Sequence, residues 1–215
     1  MSTLKQSADN AWLELRCLRL NSSGFGRMCK LTDRTDKIKY AESLTMPSVI
    51  NCNAVQHGNR YEKVALETFA LQYDKSVLPC GTLISKDCPF VASTPDGLVG
   101  ENATIEGKYP YASKDMDITP KAVPYIIYIN GDIDLNPKHQ YYFQVQGQLF
   151  CTGRQQCYFC VYTPKDFKTI LIERNNEFIA DMVKDLTTFF NEYFQEAVLQ
   201  TFFYKNTNKQ FKEMY

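Results

Sequence analysis

A turn written Ser93-Thr-Pro-Asp96-Gly97, with Glu106-Gly107-Lys108 beginning ten residues after Asp96, constrains this chain more than any other feature. Pro-Asp-Gly imposes a tight reversal. The short runs around it, at 88–93, 97–99 and 104–109, are β-prone. The segment is therefore predicted to be extended chain reversed by tight turns, with Asp96 projecting from the turn that leads into a strand. Glu106 and Lys108 lie two apart on the next strand, so both side chains leave the same face of the sheet.

That arrangement suits one kind of chemistry. Hydrolysis of a phosphodiester needs a hydroxide nucleophile, in-line geometry and neutralised charge on the phosphate. Hard oxygen ligands around a divalent cation can supply all three. Asp96 and Glu106 are the candidate carboxylate ligands, the backbone carbonyl of Gly107 a further one, and Lys108 the group that orients or deprotonates the attacking water. Glu62, in the preceding helical stretch His57-Gly-Asn-Arg-Tyr-Glu62, can complete the acidic cluster. An isolated Glu-x-Lys is ordinarily a surface salt bridge; the upstream Pro-Asp-Gly turn and Glu62 favour the functional reading. In Tyr141-Tyr-Phe-Gln144-Val-Gln146-Gly-Gln148 the spacing i, i+4 puts Gln144 and Gln148 on one helix face and Gln146 elsewhere. Long amides beside such a site could hold the lysine or a phosphate, although Gln-rich helix surfaces are also common solvent-facing chemistry.

Around the turn, helical and extended segments alternate. A helix is predicted over about residues 10–20, and a short one, capped from Asn21-Ser22-Ser23, through about Lys30. Residues 33–53 read as polar and irregular, with Pro47 as a breaker, and a stronger helix covers about 57–71. Extended runs from residue 76 to 109 read as a meander of three or four strands. Residues 110–137 carry Pro110, Pro120, Pro124 and Pro137 and read as a long excursion partly ordered over the site. A helix at 139–151, strands at 155–163 and 168–173, and a helix over about 176–199 follow. The sum is a single α/β domain spanning 1–215, with its core at about 10–200 and a central mixed β-sheet flanked by helices.

Composition agrees with a globular chain: 215 residues, 44% hydrophobic and 22% charged. No run approaches the roughly 18 apolar residues of a membrane span. The N-terminus lacks the apolar core of a secretory signal, so an intracellular protein is expected, nucleus and cytoplasm not being distinguished. The eight cysteines then read as reduced thiols. Cys157-Tyr-Phe-Cys160 has zinc-knuckle spacing, but no second pair completes a site, and its apolar surroundings make it core. Net charge is zero, which argues against binding nucleic acid by bulk charge. The charge is uneven, however. Residues 1–40 carry eight Lys/Arg against four acids, and residues 171–197 carry six acids against Arg174 and Lys184, which suits a site gripping phosphates from one side.

Taken in order, these pieces resemble the PD-(D/E)xK nuclease superfamily, specifically its lambda-exonuclease-like, YqaJ-type viral recombinase branch. Arg19-Leu-Asn-Ser22-Ser23-Gly-Phe-Gly is similar to the family's N-terminal segment, His57-Gly-x-x-Tyr-Glu62 to its acidic helix, and Ser93-Thr-Pro-Asp96-Gly97 and Glu106-Gly-Lys108 to its catalytic hairpin. Tyr141-Tyr-Phe-Gln144-Val-Gln146 is similar to its glutamine helix. The resemblance implies a restriction-endonuclease-like core and Mg²⁺ as cofactor, with Mn²⁺ expected to substitute. Asp96 and Glu106 would be the principal ligands, with Glu62 contributing directly or through water. Lys108 would activate water, with Gln144 or Gln146 beside it, and Arg19 with Ser22 or Ser23 would bind the DNA backbone or a 5′-terminal phosphate. The implied activity is digestion of linear duplex DNA from the 5′ end in recombination or end processing, alongside a single-strand annealing protein. Homo-oligomer formation stays open. An endonuclease on the same fold and a non-catalytic nucleic-acid-binding module are the alternatives.

Overall fold

The computed structural model describes residues 10–46 and 52–204. In chain order they form α1 (Asn10–Cys17), β1 (Leu20–Asn21), α2 (Phe25–Met28), α3 (Lys37–Leu44), α4 (Asn53–Tyr73), β2 (Val77–Leu78), β3 (Leu83–Ile84), β4 (Val91–Ser93), β5 (Gly97–Val99) and β6 (Ala103–Lys108). They continue as β7 (Ile126–Ile129), β8 (Asp132–Leu135), α5 (Gln140–Thr152), β9 (Gln156–Tyr162), β10 (Phe167–Glu173) and α6 (Asn176–Phe189). Beyond α6 the helix winds on through π and α turns to Tyr204.

β6 is the middle strand of a five-stranded mixed sheet of order β10-β9-β6-β5-β2. Its residues from Ala103 to Gly107 are all buried, as expected of a strand covered on both faces. β5 runs antiparallel to it with Gly97 opposite Ile105, so the hairpin is as tight as the short interval requires. Arg154 Nη1 clamps the turn, donating to the carbonyls of Gly100 (2.8 Å) and Ala103 (2.7 Å). On the other side β9 is parallel to β6, with Glu106 opposite Phe159 and Lys108 opposite Val161. A parallel pair needs a crossover, and α5 provides it. His139 Nδ1 caps the start of that helix by accepting from Tyr141 N–H at 3.2 Å, and Gly153, at φ 72°, ends it in the left-handed region.

The helices lie on both faces. Val145 and Leu149 of α5 pack with Phe159, Val161 and Ile170. From the opposite layer α4 sends Phe69 against Ile105 and Cys160. A third cluster joins Leu20, Phe25, Met182 and Leu186, fastening β1, α2 and α6 to one another. Cys157 and Cys160 are buried free thiols within this packing.

Two expectations are corrected. β3 and β4 do not continue the main sheet: they form a separate sheet of order β1-β4-β3, in which Leu20 pairs in parallel with Val91. Such a partner, remote in sequence, leaves no trace in local periodicity. The stretch 33–53 is not irregular either, because it contains α3, capped by Asp36, whose carboxylate accepts from Lys39 N–H at 3.0 Å. Pro47 lies outside the described residues. The 110–137 excursion ends in the β7–β8 hairpin, which turns through Asn130 (φ 52°) and Gly131 (φ 93°), the backbone that Asn-Gly favours. No helix of the described residues is long and apolar enough to cross a membrane.

Candidate active site

The end of β6 brings the predicted residues together. Asp96, leaving the turn before β5, accepts through Oδ2 from the Gly107 N–H at 2.7 Å. In a strand the N–H and C=O of one residue point to the same edge, so the Gly107 carbonyl is directed to the Asp96 edge as well. Glu106 and Lys108 point to the α5 side, and Lys108 Nζ donates to Glu106 Oε1 at 2.6 Å and to Gln144 Oε1 at 3.2 Å. Gln144 Nε2 donates to Glu106 Oε1 at 2.6 Å, and Gln148 Nε2 donates to Oε2 at 2.6 Å. The Lys108 ammonium also lies 4.4 Å from the centroid of the Tyr141 ring. Gly107 faces the other layer, where a Cβ would meet the Tyr109 hydroxyl. Gly58 of α4 lies over that same tyrosine ring, one turn before Glu62.

Charge is concentrated here in little water. Burial first, then Glu106, pushes the Asp96 carboxyl well above the usual carboxylate range; Glu62 adds to this, while Lys108 and the Gly107 N–H pull the other way. Glu62 is likewise raised, by burial and then by Glu106. Burial alone would depress Lys108, but Glu106 and Asp96 outweigh it, and the group is held above the ordinary lysine value. In this state it is an ammonium that donates, not a base that accepts.

Four of the residues expected at the site, Gln146, Arg19, Ser22 and Ser23, make none of these contacts. Gln146 is corrected: its Nε2 donates to the Glu173 carbonyl at 2.8 Å and its Oε1 accepts from Asn175 N–H at 2.9 Å, pinning α5 to the β10–α6 junction. Two helical steps of about 100° each put it on the face opposite Gln144. Arg19 and Ser22 stand at the start of β1 and just after it. Arg19 Nε donates to the Pro89 carbonyl at 3.1 Å, and its buried Nη1 has no hydrogen-bond partner. Ser22 is buried against α5. Ser23 is reached by an arginine that the sequence reading did not single out, Arg16, whose Nη2 donates to Ser23 Oγ at 3.3 Å. Gln148 was also missed as a site residue, although its shared face with Gln144 was legible.

The family fold implies a divalent cation. Among the described residues no three Asp, Glu, His or Cys side chains already surround one point. Nevertheless the donor set fits such an ion. Its members are all oxygens, and burial, then the Glu106 charge, holds both Asp96 and Glu62 above the usual carboxylate range, a penalty that a cation would relieve.

Fold and site together are those of a PD-(D/E)xK nuclease. More narrowly, a model of the YqaJ-like viral recombinase domain matches residues 11–155, and the chain belongs to that family. The structure is similar to that of an alkaline exonuclease from Laribacter hongkongensis, with a TM-score of 0.71 and 22% identity, covering 96% of this chain and 100% of that one. It is also similar to KSHV SOX in an RNA complex, at TM-score 0.61 and 12% identity, covering 91% and 72%. In sequence it is 30% identical over 108 residues to uncharacterized protein R354 of Acanthamoeba polyphaga mimivirus. That match covers 49% of this chain and 19% of R354, so the chain spans about a fifth of that relative's length.

Proposed function

We propose that the chain is an Mg²⁺-dependent DNA exonuclease that digests linear duplex from the 5′ end in recombination or end processing. The observation that carries this reading is the Asp96–Glu106–Lys108 cluster, braced by Gln144 and Gln148 on α5. Asp96, Glu106 and the Gly107 carbonyl would hold the ion, with Glu62 reaching it from the opposite layer. When bound, the ion supplies Lewis acidity and an activated water.

The chain's own groups do the rest. Lys108, charged and fixed by Glu106 and Gln144, orients the attacking water and donates to the phosphate oxygen that gains charge in the transition state. Tyr109 stays a neutral phenol beside Asp96, because burial, then Asp96, opposes its ionisation. Arg19 and Ser23, with Arg16 beside that serine, would grip a 5′-terminal phosphate. The unpartnered Nη1 of Arg19 supports that role. Solved relatives include the Laribacter enzyme in complex with dAMP and SOX in complex with DNA, in keeping with a nucleic-acid substrate.

The test is incubation of purified protein with end-labelled linear duplex and with covalently closed circles, with and without Mg²⁺. Nucleotide release from 5′-phosphorylated linear DNA, dependent on Mg²⁺, is expected. Equal cutting of closed circles would replace the exonuclease assignment with an endonuclease.

A further inference from the structure

Next to the catalytic cluster lies a cavity of ≈ 400 Å³ between α2 and the start of α5, lined among others by Arg27, Lys30, Lys138 and His139. No carboxylate lines it, and among the described residues none of Arg27, Lys30 and Lys138 is in an ion pair. The chain's zero net charge makes such an unneutralised cluster a local feature of the surface. We propose that it binds a phosphate of the nucleic-acid backbone adjacent to the scissile one, an assignment that rests on the nuclease reading above.

The site is built and not merely a patch of surface cations. A Cβ on Gly26 would lie 2.6 Å from Gln140 Cα, so α2 is pressed backbone-to-backbone against the first residue of α5. Lys30 is held by a hydrogen bond from Nζ to the Lys138 carbonyl and by its place 4.9 Å from the Phe143 ring centroid. Arg27 is stacked on Tyr40 at 4.4 Å. These interactions fix two cations at modest conformational cost before any ligand arrives. His139 uses Nδ1 to accept from Tyr141 N–H, which leaves the proton of a neutral ring on Nε2 as a donor.

Continuity with the reaction centre is direct. The His139 and Tyr141 rings are 4.7 Å apart, and Tyr141 carries the Lys108 ammonium. Lys30 and Lys108 both act electrostatically on His139, after burial. A strand whose phosphate is attacked beside Lys108 therefore finds its neighbouring phosphate facing Lys30, Lys138 and Arg27. Point charges and a guanidinium fork at that position track the backbone without reading sequence.

Binding without turnover tests this. Anisotropy of a labelled short duplex with 5′-hydroxyl ends, in EDTA, gives log K against log salt for wild type, Lys138→Gln and the double variant Arg27→Gln/Lys30→Gln. Lys63→Gln, on the exposed side of α4 and paired with Glu67 at 3.6 Å, is the control. Removing one cation that neutralises a phosphate should flatten the slope by about 0.9; the control should leave it unchanged. Lys138 is exposed, so its variant stays informative if the double one misfolds. Unchanged slopes in a folded Lys138→Gln and double variant would overturn the proposal, as would absence of duplex binding by the wild type. A thermal shift with inorganic phosphate, abolished in the double variant while duplex slopes stay the same, would assign the cavity to free phosphate instead. Flattened slopes in a protein that never cuts DNA would support this site while refuting the nuclease reading. Cutting with unaltered slopes would do the reverse.

Discussion

Gln144, Gln146 and Gln148 lie within one stretch of α5, yet the first and last reach Glu106 while Gln146 reaches the Glu173 carbonyl. The helical period already set Gln144 beside Gln148 in the sequence; only the motif likeness brought Gln146 forward. What the sequence could not show was the partner of each amide, because Glu106, Glu173 and Asn175 come from strands and loops far along the chain. The distinction is measurable. Gln148→Met keeps the volume, removes the donor to Glu106 Oε2 and also removes a buried Oε1 that has no partner. Relief of that orphaned oxygen offsets part of the cost of leaving the buried Glu106 Oε2 without this donor, so stability should change little while turnover falls about 10–100-fold, the usual cost of losing a group that orients a metal ligand. Gln146→Met should do the opposite. It leaves the Glu173 carbonyl and the Asn175 N–H unpaired, at about 1–3 kcal/mol for each buried group, with turnover nearly kept. Urea melts and single-turnover cleavage of the two variants decide it; the reverse pattern would exchange the roles assigned to these glutamines.

At the scale of elements, what sequence reading recovered is what local chemistry controls. The hairpin of β5 and β6 follows from the Gly100-Glu101-Asn102 turn and strand alternation, and α5 follows from its apolar spacing between His139 and Gly153. α3 escaped because it buries little: Tyr40 and Ala41 are its buried residues, and a helix with so narrow an apolar stripe resembles loop. The split of β3 and β4 from the main sheet escaped because β1 is their partner. How α5 is seated was equally hidden. It depends on Gly147, where a Cβ would run into the Phe25 ring and approach Ser22. Gly147→Ala should therefore push α5 off α2, in spite of the better helix propensity of alanine. The expected cost is about 1–3 kcal/mol, offset by up to about 1 kcal/mol of helix propensity. Since Gln144 and Gln148 ride on the same helix, turnover should fall together with the denaturation midpoint. A Gly147→Ala protein more stable than wild type would show that the α2–α5 packing can relax.

For the molecule as a whole, zero net charge conceals a cost stored at one place, the buried carboxylates around β6. Asp96 has a folded value raised above that of an unfolded chain, about 3.9. The charged form is thus disfavoured by folding. That penalty is absent below the unfolded value, grows as pH rises, and is complete once pH exceeds the folded value. Asp96→Asn removes it, so without divalent ions the variant should melt above wild type at pH 8, by about 2–4 °C for each kcal/mol released. His57 and His139 carry shifts of the opposite sign, since burial lowers both, and they would blur any single pH profile. They are common to both proteins and cancel in the difference. The gap in melting temperature should therefore narrow as pH falls and wild-type Asp96 takes up its proton, at a pH above that of an ordinary carboxylate. Mg²⁺ at pH 8 should raise the wild type by mass action and leave the variant behind, reversing their order. Calorimetry of the pair across pH, with and without Mg²⁺, tests both halves. A gap that ignores pH would mean that Asp96 is not the strained charge, and an ion response shared equally by both would mean that it is not a ligand.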